Sequence, residues 1–104
     1  DPKIGPALRE MHGDVRRAWT VAELATSVGM SRAAFAERFT RTVGMAPIDH
    51  LLHWRMALAK DALRSSEAPL SEIAETIGYR SASAFSTAFS RIVGHPPARY
   101  RHAT

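Results

Sequence analysis

The side chains best suited to chemistry in this sequence lie between Ser31 and Val43. Phe35 and Phe39 have the spacing of a buried helix face, so the polar residues around them point outward. On that outward face an arginine can bind a guanine edge through two hydrogen bonds. A glutamate can accept one from cytosine N4, and an alanine can touch a thymine methyl group. The candidate contact residues are Ser31, Arg32, Ala33, Ala36, Glu37, Thr40 and Arg41.

A second segment, Ser81 to Val93, repeats this pattern with shorter outward side chains. Its small hydroxyl groups suit phosphate hydrogen bonds and weak base discrimination rather than two-point recognition of one base. Backbone N–H groups at the start of both segments can also bind phosphates. We therefore expect the first segment to supply most of the sequence discrimination, with Arg80 as the alternative base contact. The candidates here are Arg80, Ser81, Ala82, Ser83, Ser86, Thr87 and Ser90.

The two segments belong to an internal repeat. Val21–Gly29 aligns with Leu70–Gly78 at an offset of 49 residues, and Ser31–Pro47 aligns with Ser81–Pro97 at an offset of 50. The second copy therefore has one extra residue in the joint between its two parts. Two copies are too few for a solenoid, which needs about three units, so a duplicated motif is the better interpretation.

Each copy has the pattern of two short helices joined by a tight turn. In the first copy, Thr20 and Glu23 have capping-box spacing, and Gly29 ends the helix that follows. Ser31 then caps a second helix, which ends at Gly44. Two helices joined by a three- or four-residue turn that contains glycine are typical of the helix-turn-helix. The first motif spans about residues 20–44 and the second about residues 70–94.

A long helix without internal Gly or Pro is predicted between the motifs, over about residues 47–65. Its length of roughly 27 Å is near the ~34 Å that separates successive major-groove faces, so a motif at each end could enter adjacent grooves. A short opening helix is predicted around Ile4 to Met11, and a closing helix from Pro97 to His102. The predicted fold is therefore all-α, with two helix-turn-helix modules joined by a long central helix.

Composition is compatible with this interpretation. The 104 residues suit a single domain, and 14 Lys and Arg against 10 Asp and Glu give a formal net charge of +4. That mild excess permits nucleic-acid binding without requiring it. The absence of cysteine fits the cytoplasm, and no apolar run approaches the ~20 residues that a membrane span needs. Because the first residue is Asp1 rather than Met, we expect the sequence to be part of a longer protein.

Three stretches, SVGMSRAAFAERFTRTVGMAP, WRM and FSRIVGHPPARYR, resemble the AraC/XylS family of bacterial transcription regulators. The resemblance extends from about Ile4 to His102. It implies a DNA-binding domain of about seven helices in which the second helix of each motif lies in the major groove of double-stranded DNA. It also implies a sensing or dimerisation domain on the N-terminal side and a contact with RNA polymerase. No cofactor is predicted. The sequence departs from the family pattern at His50, where a Tyr is usual, and at Ala46 and Pro96, where Ser often precedes Pro.

Two other functional classes remain open at this point. A helical protein-interaction module would present large apolar residues where this sequence has Arg, Glu, Ser, Thr and Ala. A small enzyme would need converging titratable residues, and no catalytic residue is predicted. His50 and His53 share a helix face but lack a third ligand, so no metal site is predicted. Arg55 lies on the apolar stripe of the central helix, where a buried ion pair or a helix-end contact is expected.

Overall fold

Seven helices form where apolar spacing and capping residues predict them, in a computed structural model that describes residues 1–101. Those residues contain no strand, and the all-α prediction is confirmed. The predicted closing helix is observed to Arg101, and its expected last residue, His102, lies outside the described residues. The helices are α1 (Ile4–Gly13), α2 (Val21–Ser27), α3 (Arg32–Val43), α4 (Pro47–Ser65), α5 (Leu70–Ile77), α6 (Ala82–Val93) and α7 (Pro97–Arg101).

The capping residues determine where the helices of the two motifs begin and end. The Thr20 hydroxyl accepts a hydrogen bond from the Glu23 N–H at 3.1 Å, which confirms Thr20 as the N-cap of α2, and the Glu23 carboxylate accepts from the Thr20 hydroxyl at 3.1 Å. Ser31 caps α3 in the same way, by accepting from the Ala34 N–H at 3.2 Å. Gly44 ends α3 with φ at +95°, a left-handed conformation that costs a residue with a Cβ atom more than it costs glycine. Local sequence therefore accounts for the limits of the first motif.

The first of two compact units contains residues 1–52, comprising α1, α2, α3 and the start of α4. Its core is formed by the apolar faces of these four helices. Because both phenylalanines of α3 are fully buried in it, the opposite face of α3 is left to solvent. The buried core residues are Ile4, Ala7, Met11, Leu24, Ala25, Phe35, Phe39 and Leu51.

The second unit begins at His53 and contains the remainder of α4 with α5, α6 and α7. It repeats the plan of the first unit, with two phenylalanines of α6 fully buried at its centre. The buried core residues are Met56, Ala59, Leu63, Ile73, Ala74, Ile77, Phe85, Ala88 and Phe89.

Helix α4 has a different role in each unit. Its first turn, which begins at the buried Pro47, packs into the first core through Leu51. The short α7 begins at the buried Pro97, in the equivalent place of the second unit. In the first unit, α1 contributes three buried residues with i, i+3, i+7 spacing: Ile4, Ala7 and Met11. The later part of α4 contributes three buried residues with the same spacing to the second unit: Met56, Ala59 and Leu63. The duplication therefore extends beyond the two motifs, and α4 ends one copy and begins the next.

No helix within residues 1–101 combines the length and the apolar character required to span a bilayer.

Candidate nucleic-acid interface

The turn of the first motif is fixed by backbone hydrogen bonds. Val28 ends α2, Gly29 follows with φ at +71°, and the Met30 N–H donates to the Ala25 carbonyl at 2.9 Å. From the start of the chain, the Lys3 ammonium group donates to the Val28 carbonyl at 2.9 Å. These bonds satisfy backbone groups at the end of α2. They also fix the conformation of the turn that leads into α3.

None of the candidate residues predicted on α3 is buried. Six of them are exposed, and the seventh, Ala36, is partly buried beside the core. The inner face of the helix is held by Phe35 and Phe39, whose ring centroids lie 5.7 Å apart. The structure therefore brings the predicted residues onto one accessible helix face. The six exposed residues are Ser31, Arg32, Ala33, Glu37, Thr40 and Arg41.

Two polar contacts reduce the freedom of side chains on this face. The Arg41 guanidinium lies 3.5 Å from the Glu37 carboxylate, and both side chains are more than two-thirds exposed. The Thr40 hydroxyl donates to the Ala36 carbonyl at 2.8 Å. Glu37 therefore already has a cationic neighbour, although a pair this exposed is weak and easily exchanged. The ion pair between Glu37 and Arg41 was not predicted, although their i, i+4 spacing is the sequence signal for such a pair.

Arg38, the remaining arginine of α3, points away from the candidate face. Its Nε donates to the Asp1 carboxylate at 2.9 Å, while the other oxygen of that carboxylate accepts the Lys3 and Ile4 N–H groups. Sequence reasoning gave no role to Arg38. Helical spacing excluded it from the outward face, but nothing local indicated that its partner lies at the start of the chain.

The turn of the second motif accommodates the extra residue by directing it into solvent. The Tyr79 N–H donates to the Ala74 carbonyl at 2.8 Å, as Met30 does in the first motif, and the Tyr79 ring lies 6.0 Å from that of Phe85. Tyr79 is thus the equivalent of Met30. Arg80 is the inserted residue, and it is exposed directly before the cap of α6.

The candidate face of α6 is accessible but more closely packed than that of α3. Ser81 caps the helix by accepting from the Ala84 N–H at 3.0 Å, and it is exposed together with Ser83 and Thr87. The other three candidates, Ala82, Ser86 and Ser90, are partly buried. The candidate face of α6 therefore consists of small side chains, most of them hydroxyl-bearing, and the exposed Arg80 precedes it in the sequence.

The helices of the two units differ in the charge at their N-terminal ends. Helices α2, α4 and α5 each have an acidic residue in the first turn, which stabilises the helix dipole. Helices α3 and α6 have none, and an arginine stands at or just before the start of each. Helices α1 and α7 also lack an acidic first turn, but at the start of α1 the Asp1 carboxylate binds the Lys3 and Ile4 N–H groups. Within residues 1–101, neither Arg32 nor Arg80 makes an ion pair or a hydrogen bond. A free cation beside unsatisfied N–H groups makes these two ends suited to an anion.

The central helix holds its buried arginine against an aromatic ring. Arg55 is 9 % exposed, and its guanidinium carbon lies 5.7 Å from the centroid of the Tyr79 ring. Arg55 is thus buried on the apolar stripe of the helix, where it was predicted to lie, but the cation–π contact was not predicted. Through this contact Arg55 supports the residue that directs Arg80 outward.

Two histidines meet in the first unit, which sequence reasoning missed. The Nε2 atoms of His12 on α1 and His50 on α4 lie 2.9 Å apart, and the His50 ring lies edge-on to Phe39 at 5.8 Å. Partial burial lowers the pKa of His12 below its usual value. Within residues 1–101, no three His, Asp or Glu side chains converge as metal ligands.

Known proteins are similar to this chain over nearly its whole length. The model of a helix-turn-helix domain family matches residues 24–103. A putative AraC-like transcription regulator of Streptomyces lividans is 46% identical over 101 residues, 97% of this chain and 33% of that protein. The transcriptional regulator AlkR of Acinetobacter baylyi is 37% identical over 100 residues, 96% of this chain and 33% of that protein. The chain thus spans about a third of the length of these curated relatives.

Solved structures share the fold. The C-terminal domain of AraT, a response regulator from Geobacillus stearothermophilus, superposes with a TM-score of 0.92 at 28% identity, covering 100% of this chain and 87% of that one. The DNA-binding domain of AdpA, a global transcriptional factor solved in complex with a target DNA, superposes with a TM-score of 0.88 at 32% identity. That match covers 99% of this chain and 92% of that one.

Proposed function

Because the chain belongs to the AraC-type family of helix-turn-helix domains, we propose that it binds double-stranded DNA through α3 and α6 and thereby regulates transcription. The family consists of transcription regulators rather than enzymes. The relative with the most direct bearing is the AdpA domain, which was solved with its target DNA.

The observation that carries the proposal is the charge at the start of the two candidate helices. An arginine near the N-terminal end of a helix opposes the helix dipole, so this arrangement is unfavourable in the free protein. It becomes favourable when an anionic phosphate or an electronegative guanine edge lies against the same helix end. Both α3 and α6 have this feature, while α2, α4 and α5 have acidic first turns. The Asp1 carboxylate already binds N–H groups at the start of α1, and α7 is only five residues long.

The two candidate faces suit different parts of DNA recognition. On α3, Arg32 can bind a guanine, and Glu37 can accept from a cytosine N4 once Arg41 turns to a phosphate. On α6, short hydroxyl side chains favour close approach and phosphate contacts. We propose that α3 supplies most of the base discrimination and that Arg80 supplies the principal cation of the second motif.

The two motifs are proposed to occupy successive major-groove segments, about 34 Å or one helical turn apart. Because α3 and α6 differ in sequence, the site for one chain should be non-palindromic. Selecting binding sites from a random DNA pool, followed by footprinting, tests this directly. Two protected segments with dissimilar preferred sequences are expected, and protection of a single segment would contradict simultaneous engagement.

Salt dependence distinguishes DNA binding from the protein-interaction alternative. A domain that displaces counterions with several Lys and Arg side chains should lose affinity steeply as salt rises. The logarithm of the binding constant is therefore expected to fall linearly with the logarithm of salt concentration. A flat response would favour a surface that binds protein.

The whole protein is proposed to hold more than this domain. Because the relatives are about three times as long as the chain, we propose a sensing or dimerisation domain on its N-terminal side. Contact with RNA polymerase and action in the cytoplasm, where bacterial DNA is accessible, belong to the same proposal. The contact with RNA polymerase is tested by asking whether the full-length protein pulls down the polymerase on a promoter fragment.

A further inference from the structure

The two histidines of the first unit occupy the place of a different pair in the second unit. His50 lies three residues after Pro47, and Tyr100 lies three residues after Pro97. Their rings pack alike: His50 lies 5.8 Å from Phe39 at 65°, and Tyr100 lies 5.8 Å from Phe89 at 72°. His50 and Tyr100 are therefore structural equivalents.

The partners of these two rings are equivalent as well. His12 follows the buried Met11 on α1, and Arg64 follows the buried Leu63 on α4. Met11 and Leu63 are the last of the buried residues that share the i, i+3, i+7 spacing in the two units. The Arg64 guanidinium carbon lies 4.5 Å from the Tyr100 ring centroid, just as His12 lies against His50. Each unit thus joins its opening helix to its closing turn through a ring, and in the second unit the Lys60 ammonium also lies 5.6 Å from the centroid of the Tyr100 ring.

The two contacts respond differently to protons. Histidine is the side chain whose ordinary pKa puts its change of charge near neutral pH, and the contact between Arg64 and Tyr100 contains no imidazole. A hydrogen bond between two imidazole Nε2 atoms requires one N–H and one lone pair. When both rings are protonated, each nitrogen is a donor and the two positive charges repel. The contact in the first unit therefore exists only while at least one of His12 and His50 is neutral.

The charges around the pair come from three elements. Arg9 lies one turn before His12 on α1, and Asp14 and Arg16 follow that helix. On α4, Asp49 precedes His50 and His53 lies one turn later. Helix α3 contributes the uncharged Phe39, and Arg38, the residue before it, is bound to Asp1. The cationic groups oppose double protonation, whereas Asp14 and Asp49 favour it.

The sign of the effect follows from the direction of titration. Burial lowers the pKa of His12 in the folded protein, so the unfolded chain binds more protons there. This contribution to stability is present above the unfolded value of about 6.5 and is lost as the pH falls below it.

We propose that the first unit is an acid-sensitive module: double protonation of His12 and His50 separates α1 from the start of α4 and loosens α3 through Phe39. The equivalent contact of the second unit contains no histidine, so the α6 part of the binding site persists. This regulation rests on the proposed DNA binding, because its consequence is selective loss of the α3 contact in mild acid.

The experiment compares the wild-type chain with a double variant, His12→Arg with His50→Tyr, that transplants the pair of the second unit. Amide hydrogen-exchange protection factors are measured by NMR for both units at pH 7.5 and 5.5, without DNA, and both with and without EDTA. Affinity for the selected DNA site is measured at the same pH values. The control is His95→Gln, which removes an exposed histidine of the second unit and should keep the wild-type response.

In the wild type we expect protection to fall at pH 5.5 in the first unit only. The accompanying loss of affinity should be confined to the α3 half-site and be at most about tenfold for each histidine, because pH 5.5 lies about one unit below the ordinary histidine pKa of about 6.5. The double variant should show neither change. If it does not fold, His12→Gln, which keeps a donor for His50 and removes one titrating ring, should reduce both changes.

Three outcomes overturn the inference: equal loss of protection in both units, an unchanged pH response in the variants, or a response that appears only when EDTA is omitted. The last result would indicate a metal site. If protection changes as expected but no DNA is bound at either pH, the proposed function fails while the acid-sensitive contact stands.

Discussion

Arg32→Ala should change stability and DNA affinity in opposite directions. Arg32 is the first residue of α3, it is exposed, and it makes no ion pair or hydrogen bond with any described residue. Its charge opposes the positive end of the helix dipole, an effect of about 0.3–1 kcal/mol at a helix terminus. Alanine also has the higher helix propensity. Removing the arginine should therefore raise the free energy of unfolding by a few tenths of a kcal/mol.

The same substitution should weaken binding of the cognate site. Loss of a two-point contact with guanine costs about 1–3 kcal/mol, which is roughly 5- to 150-fold in Kd. Because the contact recognises one base pair, the preference at that position should also relax. A phosphate contact would instead weaken all sequences about equally.

The role of Arg32 is tested by urea denaturation and by binding-site profiles of three variants: Arg32→Ala, Arg9→Ala and Arg80→Ala. Arg9→Ala is the matched control, because it removes the same charge from an exposed position on α1, outside both motifs. It should lower affinity only slightly and leave the preferred sequence unchanged. Arg80→Ala should weaken binding with little change in sequence preference. If Arg32→Ala lowers stability and affinity together, its role is structural; if Arg80→Ala alone relaxes a base preference, the two arginines have exchanged roles.

The other predictions concern backbone, cap and groove contacts. Ser31→Ala should lower the free energy of unfolding by about 1 kcal/mol through loss of the cap of α3, and an unchanged urea midpoint would contradict it. Gly44→Ala should cost about 1–2 kcal/mol at its φ of +95°. At Gly13 an added Cβ atom would meet no heavy atom within 4 Å, and φ is not positive, so Gly13→Ala should be neutral or stabilise by up to about 1 kcal/mol. Thermal melts in which Gly13→Ala is less stable than Gly44→Ala would refute the backbone argument. Ser86→Ala should change Kd less than Arg32→Ala and leave the site profile intact, and a shifted profile would show base recognition by α6.

Much of the fold was predictable because its determinants are local. The spacing of Phe35 and Phe39 defined the inner face of α3, and capping residues defined its ends. The repeat then transferred the same assignments to α6, including the position of Arg80 as the inserted residue. The exposed candidate face follows from this spacing alone, since residues opposite a buried helix stripe must face solvent.

Contacts between residues distant in sequence had no such local signal. Arg38 reaches Asp1, Arg55 lies over Tyr79, and His12 meets His50, at sequence separations of 37, 24 and 38 residues. Helical periodicity states which face of an element a residue occupies but not which element lies opposite. The sequence by itself therefore determined the helices, the repeat and the polar faces offered to DNA. Only tertiary packing decided that the first unit holds a titratable pair where the second holds arginine and tyrosine, because side chains from separate helices meet only when both pack on one core.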